Sequence, residues 1–225
     1  MAEPPNTGEI VKRALDYPYE QPNGSFIQVG GQTLEAPAAG LDLSGRTPLL
    51  TYGSNAAPEA LTRKLASLPT SELPVLRAEL DDFDVVYSAH ISPYGSVPAT
   101  IQGSPGTSIA VHVAYPDDYQ LPLLSMTEPN YEVVRLRDIS CRLDGDVELT
   151  EIDLFLSRHG CLSIDGGETG LTATRAHGRD FAEMTQPQVL ELARSHLAPE
   201  LGLERFILDC VEAGGLAPLP ALTTS

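Results

Sequence analysis

The stretch Tyr52-Gly53-Ser54-Asn55 combines residue types that could do chemistry. The apolar run Pro48-Leu49-Leu50-Thr51-Tyr52 breaks at its glycine, and a helical pattern starts soon after, at Pro58-Glu59. A strand that stops just ahead of a helix presents backbone N–H groups that neither element satisfies, and such a nest favours an anion. Gly53 lets a ligand approach the backbone closely, while Ser54 and Asn55 add side-chain donors and acceptors. Alone, the junction reads as a turn, and Tyr52 serves equally well as a core aromatic. Glu128, in Met126-Thr127-Glu128-Pro129-Asn130-Tyr131, reads on its own as a solvated loop acid.

Other candidates carry less. Consecutive acids in Asp81-Asp82-Phe83-Asp84 point to opposite faces of a strand, which argues for a solvated edge over a divalent-ion site. His90, His112, His159, His177 and His196 show no ligand spacing, so no metal is expected. Ser54 has no histidine partner in view and no nucleophile elbow, which disfavours a serine-hydrolase triad. Gly166-Gly167 lacks a P-loop lysine. Tyr87 and Tyr131 read first as core residues whose hydroxyls could reach a ligand.

The elements that must position these residues follow from the pattern of apolar positions. Strands are expected at residues 48–52, 83–90, 97–102, 109–115, 131–141 and 147–157, the last two joined by a turn at Leu143-Asp144-Gly145-Asp146. Helices are expected at 58–68, 117–126, 186–197 and 203–212. Residues 1–46, rich in Pro, Gly, Asn and acids, read as a partly irregular arm, 165–170 as a loop, and the Pro-containing C-terminus as a disordered tail. Many strands with few helices between them give an α+β class with a small mixed or antiparallel, barrel-like sheet, followed by C-terminal helices.

Composition narrows the partners. With 225 residues, a single well-buried domain with appended segments is expected. The net charge of -17, from 14 basic and 31 acidic side chains, repels phosphate backbones and anionic lipid, so neither nucleic acid nor membrane is expected as partner. Cys141, Cys161 and Cys210 form no disulfide framework. The opening Met-Ala-Glu-Pro-Pro-Asn has neither the basic start nor the apolar run of a signal peptide, so a cytoplasmic location is expected.

Leu49-Leu50-Thr51-Tyr52-Gly53-Ser54-Asn55, then Val97-Pro98-Ala99-Thr100-Ile101, Ser104-Pro105-Gly106-Thr107, the run Ile109 to Tyr115, and Leu124-Ser125-Met126-Thr127-Glu128 follow one another in order. Together they resemble the γ-glutamyl cyclotransferase-like family over about residues 47–157, which the resemblance marks as the domain, with 158–225 as a loop and helical extension. The resemblance implies a small barrel-like fold in which Tyr52, Gly53, Ser54, Asn55 and Tyr131 bind a γ-glutamyl metabolite and Glu128 acts as general acid/base. The implied reaction closes a γ-glutamyl amide to 5-oxoproline and expels an amine or amino acid, without cofactor. Met126 and Tyr131 would give Glu128 a partly apolar surrounding. Ala56-Ala57, Ser125 and Pro129 stand where relatives carry leucine, aspartate and glycine, and the last two touch the loop of Glu128. Two alternatives share the fold: a non-catalytic small-molecule-binding or interaction module, and removal of a γ-glutamyl group in a biosynthetic pathway.

Overall fold

The computed structural model describes residues 6–37, 40–145 and 147–224. Asn6 opens α1 (Thr7–Leu15) with a capping box, its side chain accepting from the Glu9 N–H while Glu9 bonds back to the Asn6 N–H. A hairpin follows, β1 (Phe26–Val29) and β2 (Gln32–Glu35), turning through Gly30 and Gly31, which both take positive φ as a two-residue connection between strands requires. Phe26 is buried, and β1 pairs antiparallel with β4 (Leu73–Tyr87).

The short, fully buried β3 (Leu49–Thr51) leads through a 3-10 turn, Ser54–Ala56, into α2 (Pro58–Lys64). β5 (Ala99–Ala114), α3 (Gln120–Met126), β6 (Tyr131–Leu143) and β7 (Val147–Ser157) complete the central unit. Strand neighbours run β5-β3-β7-β6-β4, and β4 returns to β5, so five strands close a barrel. All its pairings are antiparallel except β3 with β7. The class is therefore α+β with a mixed, closed sheet, as the strand pattern predicts. Leu50, Leu80, Val111, Val113, Cys141, Ile152 and Leu154 belong to one buried cluster, and a second, around Phe26, Leu49, Leu61 and Leu124, sits beneath α2 and α3.

Several expectations need correction. The strands expected at 97–102 and 109–115 are one strand, β5, and the strand expected at 83–90 is the second half of β4. The register between them shifts at Asp82, where φ is 63° and residues 104–107 of β5 bulge opposite a single residue. Such a bulge disturbs alternation and hides strand continuity from the sequence. α2 ends at Lys64, short of residue 68, and α3 starts at Gln120, where the Asp117 carboxylate accepts from the Tyr119 and Gln120 N–H groups. The turn expected at Leu143-Asp144-Gly145-Asp146 begins as read, with Asp146 outside the described residues.

The loop expected at 165–170 is mostly a hairpin of β8 (Ser163–Ile164) and β9 (Gly167–Leu171). β9 also meets β4 and, in parallel, β11 (Ala182–Met184), while β10 (Ala176–His177) extends the edge of β5. α4 (Gln186–Leu197) and α5 (Leu203–Glu212) have the bounds the pattern predicts. The expected disordered tail is packed where it is described: Leu219 donates its N–H to Ala89, Leu222 to Ser163, and both side chains are buried. Leu219 and Leu222, near Pro218 and Pro220, supply the N–H donors that proline lacks.

Arg179 ties the β10–β11 connection to β4. Its Nε and a terminal nitrogen bond both oxygens of Asp84, at 2.7 and 2.8 Å, and Asp84 is fully buried. Arg179→Met would leave that carboxylate uncompensated, and denaturant titration is expected to show a loss of about 3–5 kcal/mol.

Candidate functional site

β3 delivers Tyr52 to the mouth of the barrel, and the chain then tightens. Ala56 and Ala57 donate to the carbonyls of Gly53 and Ser54, so the N–H groups of Ser54 and Asn55 lie in the open first turn of the 3-10 segment. Gly53 has φ -125°, which any residue adopts; its requirement is steric. A Cβ there would stand 2.5 Å from the Tyr17 hydroxyl. That hydroxyl accepts the Ala99 N–H at 2.8 Å, and Gln21 Nε2 donates to the Gly53 carbonyl at 3.2 Å, so the N-terminal segment holds the turn from above.

Glu128 is fixed between α3 and β6. Its N–H donates to the Ser125 carbonyl and its own carbonyl accepts from Tyr131 N–H. The carboxylate Oε1 accepts from Asn55 Nδ2 at 3.0 Å and from Lys64 Nζ at 2.5 Å, and Lys64 also donates to Asn55 Oδ1 at 2.8 Å. The side chains of Lys64 and Glu128 are 10% and 14% exposed, so this is a largely buried triangle of carboxylate, ammonium and amide. Glu128's immediate partners are thus an ammonium and an amide, where a partly apolar surrounding beside Met126 and Tyr131 was expected. Met126 lines the same cavity but is 79% exposed, because it stands at the solvent side of α3's last turn.

The expected binding residues come together on one cavity of about 530 Å³: Tyr52, Gly53, Ser54, Asn55, Glu128 and Tyr131 all line it. That volume lies within the usual range for small-molecule sites. The tyrosine hydroxyls are already engaged. Tyr52 donates to the Phe155 carbonyl and Tyr131 to the Ala99 carbonyl, the latter at 2.7 Å. Burial raises the pKa of both, and of Tyr17, so all three stay protonated. Ser125 is not among the lining residues; its hydroxyl bonds the Leu121 carbonyl one turn back in α3. Pro129 does line the cavity.

Sequence reasoning missed Lys64, Tyr17, Arg13, Tyr94 and His90, all on the cavity wall. Lys64 left a readable signal: Ala60 and Leu61 are the buried stripe of α2, and Lys64 lies three and four residues on, a charge on an apolar face. Tyr17 and Arg13 left none, since only the tertiary fold brings α1 over the turn. His90 sits under the cavity with Nδ1 2.7 Å from the Ser88 hydroxyl and its ring 4.7 Å from that of His159.

The chain thus forms an α+β closed barrel whose mouth carries a small-molecule-sized cavity with a mainly apolar wall and a few polar groups. No family model matches the chain, and no curated protein matches it. Among solved structures it is similar to a gamma-glutamyl cyclotransferase and to an uncharacterized protein from Homo sapiens. Each is 15% identical with a TM-score of 0.42, and the match covers 75% of this chain and 99% of the other. The solution structure of an Arabidopsis thaliana protein matches at 17% identity and a TM-score of 0.39, over 55% of this chain and 74% of that one. Among the described residues no helix is long and apolar enough to cross a membrane.

Two outcomes follow from this geometry. Gly53→Ala forces its methyl against the Tyr17 hydroxyl and is expected to cost about 1–3 kcal/mol. Tyr17→Phe removes the obstructing oxygen, so a double-mutant cycle should return a coupling energy of about 1 kcal/mol or more. The second outcome concerns pH. Burial, and after it His159, lowers the His90 pKa to about 3, whereas the unfolded imidazole titrates near 6.5. Between these values the unfolded chain binds the proton that the folded ring refuses, so His90's contribution to stability is whole above pH 6.5 and is lost towards pH 3. Its slope reaches at most ~1.4 kcal/mol per pH unit. His112, also lowered by burial, acts in the same direction, so the measurement is the difference between parent and His90→Gln, whose unfolding free energy should fall less steeply with acid.

Proposed function

We propose that this protein is a γ-glutamyl cyclotransferase-like enzyme that converts a γ-glutamyl amide to 5-oxoproline and a free amine. The observation that supports the reading most is the facing of Glu128 and the Gly53-Ser54-Asn55 turn across one cavity, joined through Asn55 and Lys64. The ordered sequence motifs add to it. A carboxylate beside an ammonium complements an α-amino-acid head group: the substrate's ammonium replaces Lys64 on Glu128, and Lys64 turns to the substrate's α-carboxylate.

In the reaction the substrate's α-nitrogen attacks its own γ-carbonyl, forming the C–N bond of a five-membered lactam. Tethering gives the attack its main advantage, so the protein's task is to hold the bent conformer. Glu128 takes a proton from the α-ammonium, and the nitrogen's lone pair becomes the nucleophile. The carbonyl oxygen gains negative charge as the tetrahedral centre forms, and the Ser54 and Asn55 N–H groups lie in the turn best suited to receive it. The bond to the departing nitrogen then breaks with protonation by Glu128. The α-nitrogen's second proton passes to the departing amine, which leaves as an ammonium, so no proton is consumed or released overall.

A second reading, a binding module without turnover, draws on the same triangle, because Glu128 is already engaged by Lys64 and Asn55. The two separate experimentally. A panel of γ-glutamyl amides is incubated with parent and Glu128→Gln, with 5-oxoproline as readout and thermal shift in parallel. The parent is expected to release 5-oxoproline, and the variant to be slower by about 100-fold or more while melting cooperatively. Ligand stabilisation of the parent without release would favour the binding module.

A further inference from the structure

Among the described residues, one cation on the cavity wall has no carboxylate partner, whereas Arg63 pairs with Glu59 and Lys64 with Glu128. In a chain with 31 acidic and 14 basic side chains, most guanidiniums find an acidic partner, as Arg135, Arg142, Arg179 and Arg205 do, and Arg46 bonds the Tyr115 carbonyl instead. Arg13 is different. Among the described residues its side chain makes no hydrogen bond or ion pair, and its Nε is buried without an acceptor. A guanidinium N–H taken out of water and left unbonded is costly, which asks for an explanation.

Its placement is firm. The guanidinium carbon lies 3.8 Å from the centre of the Tyr94 ring, within the range of a cation–π contact. The Tyr94 turn is locked by bonds between Ser92 and Ser96 and packs so tightly on α1 and α5 that a Cβ on Gly95 would meet Ala14 at 3.2 Å and Ile207 at 2.9 Å. Arg13 and Tyr94 therefore form a rigid wall, built from elements other than those that carry Lys64 and Glu128, and both line the same cavity. The planar fork of donors that Arg13 presents is the shape that matches a carboxylate.

We infer that Arg13, held on Tyr94, is a specificity-determining residue that receives an anionic group on the amine leaving the γ-glutamyl amide. This rests on the cyclisation reading, in which Glu128 and Lys64 take the α-amino-acid head and the leaving group extends along the remaining wall. Substrates whose departing amine carries a carboxylate are then preferred over those with a neutral one.

Two compounds that differ only in that carboxylate, γ-glutamylglycine and γ-glutamylmethylamide, test this on the full chain. With the parent, kcat/KM for 5-oxoproline release is expected to favour the glycine compound about 10- to 100-fold, the range for a hydrogen-bonded charge. Arg13→Met should bring the ratio to within about threefold of unity, and Arg13→Lys should recover part of it. Because both compounds are measured on the same preparation, partial misfolding lowers both rates and leaves the ratio intact. A ratio unchanged by Arg13→Met overturns the inference while release of 5-oxoproline upholds the cyclisation. If neither compound is turned over, thermal shifts decide. Greater stabilisation of the parent by γ-glutamylglycine, erased in Arg13→Met, keeps the anion site and removes the cyclisation; equal shifts, or none, remove the anion site.

Discussion

The antiparallel ladder between β4 and β5 is the interaction on which the rest of the molecule depends. It runs from Val75 opposite Ala114 to Tyr87 opposite Ala99, far longer than an ordinary strand pair. A ladder of that length cannot stay flat, and the bulge at Asp82 lets it coil. One half can then close a barrel with β3, β7 and β6, while the other half reaches beyond it to receive β9. The end at Ala99 matters most for the cavity. Its N–H donates to the Tyr17 hydroxyl and its carbonyl accepts from Tyr131, so a single residue at the start of β5 fixes two walls of the cavity.

The second organising constraint is electrostatic. A carboxylate at the depth of Glu128 would be expensive alone, and Lys64 and Asn55 offset that cost together. Attraction between the ionic partners repays desolvation only with good geometry, and the amide supplies the further hydrogen bonds that the ions would otherwise lack. Carboxylate, ammonium and amide thus each find a partner within the triangle itself.

Fold class was legible because alternating apolar positions in β6 and β7 and the periodic α4 and α5 survive as local patterns. The length of β4 and β5 was not, because the register shift at Asp82 and the Ser104-Pro105-Gly106-Thr107 bulge interrupt alternation where the strands are in fact continuous. Composition misread the C-terminus: Leu219 and Leu222 are buried, yet among Pro, Ala and Thr they give no periodic signal. In the site, the meeting of Glu128 with Asn55 followed only from the ordered family motifs, since nothing local joins residues 73 positions apart. Lys64 was visible in principle on the buried stripe of α2 and was overlooked for its place in an ordinary basic helix end.

The N-terminal segment shows why the motif region alone does not define the cavity. Tyr17 covers Gly53 closely enough to exclude any larger residue there, accepts the Ala99 amide, and is followed by Gln21 on the Gly53 carbonyl. Arg13, four residues before Tyr17, reaches the same space from α1, whose own position is set by packing against α5 near the C-terminus. The two ends of the chain therefore meet above a turn that belongs to its middle. Residues around Gly53, Asn55 and Glu128 form one wall of the cavity, whereas Arg13, Tyr17 and Tyr19 close it from a segment with no counterpart in the motif pattern.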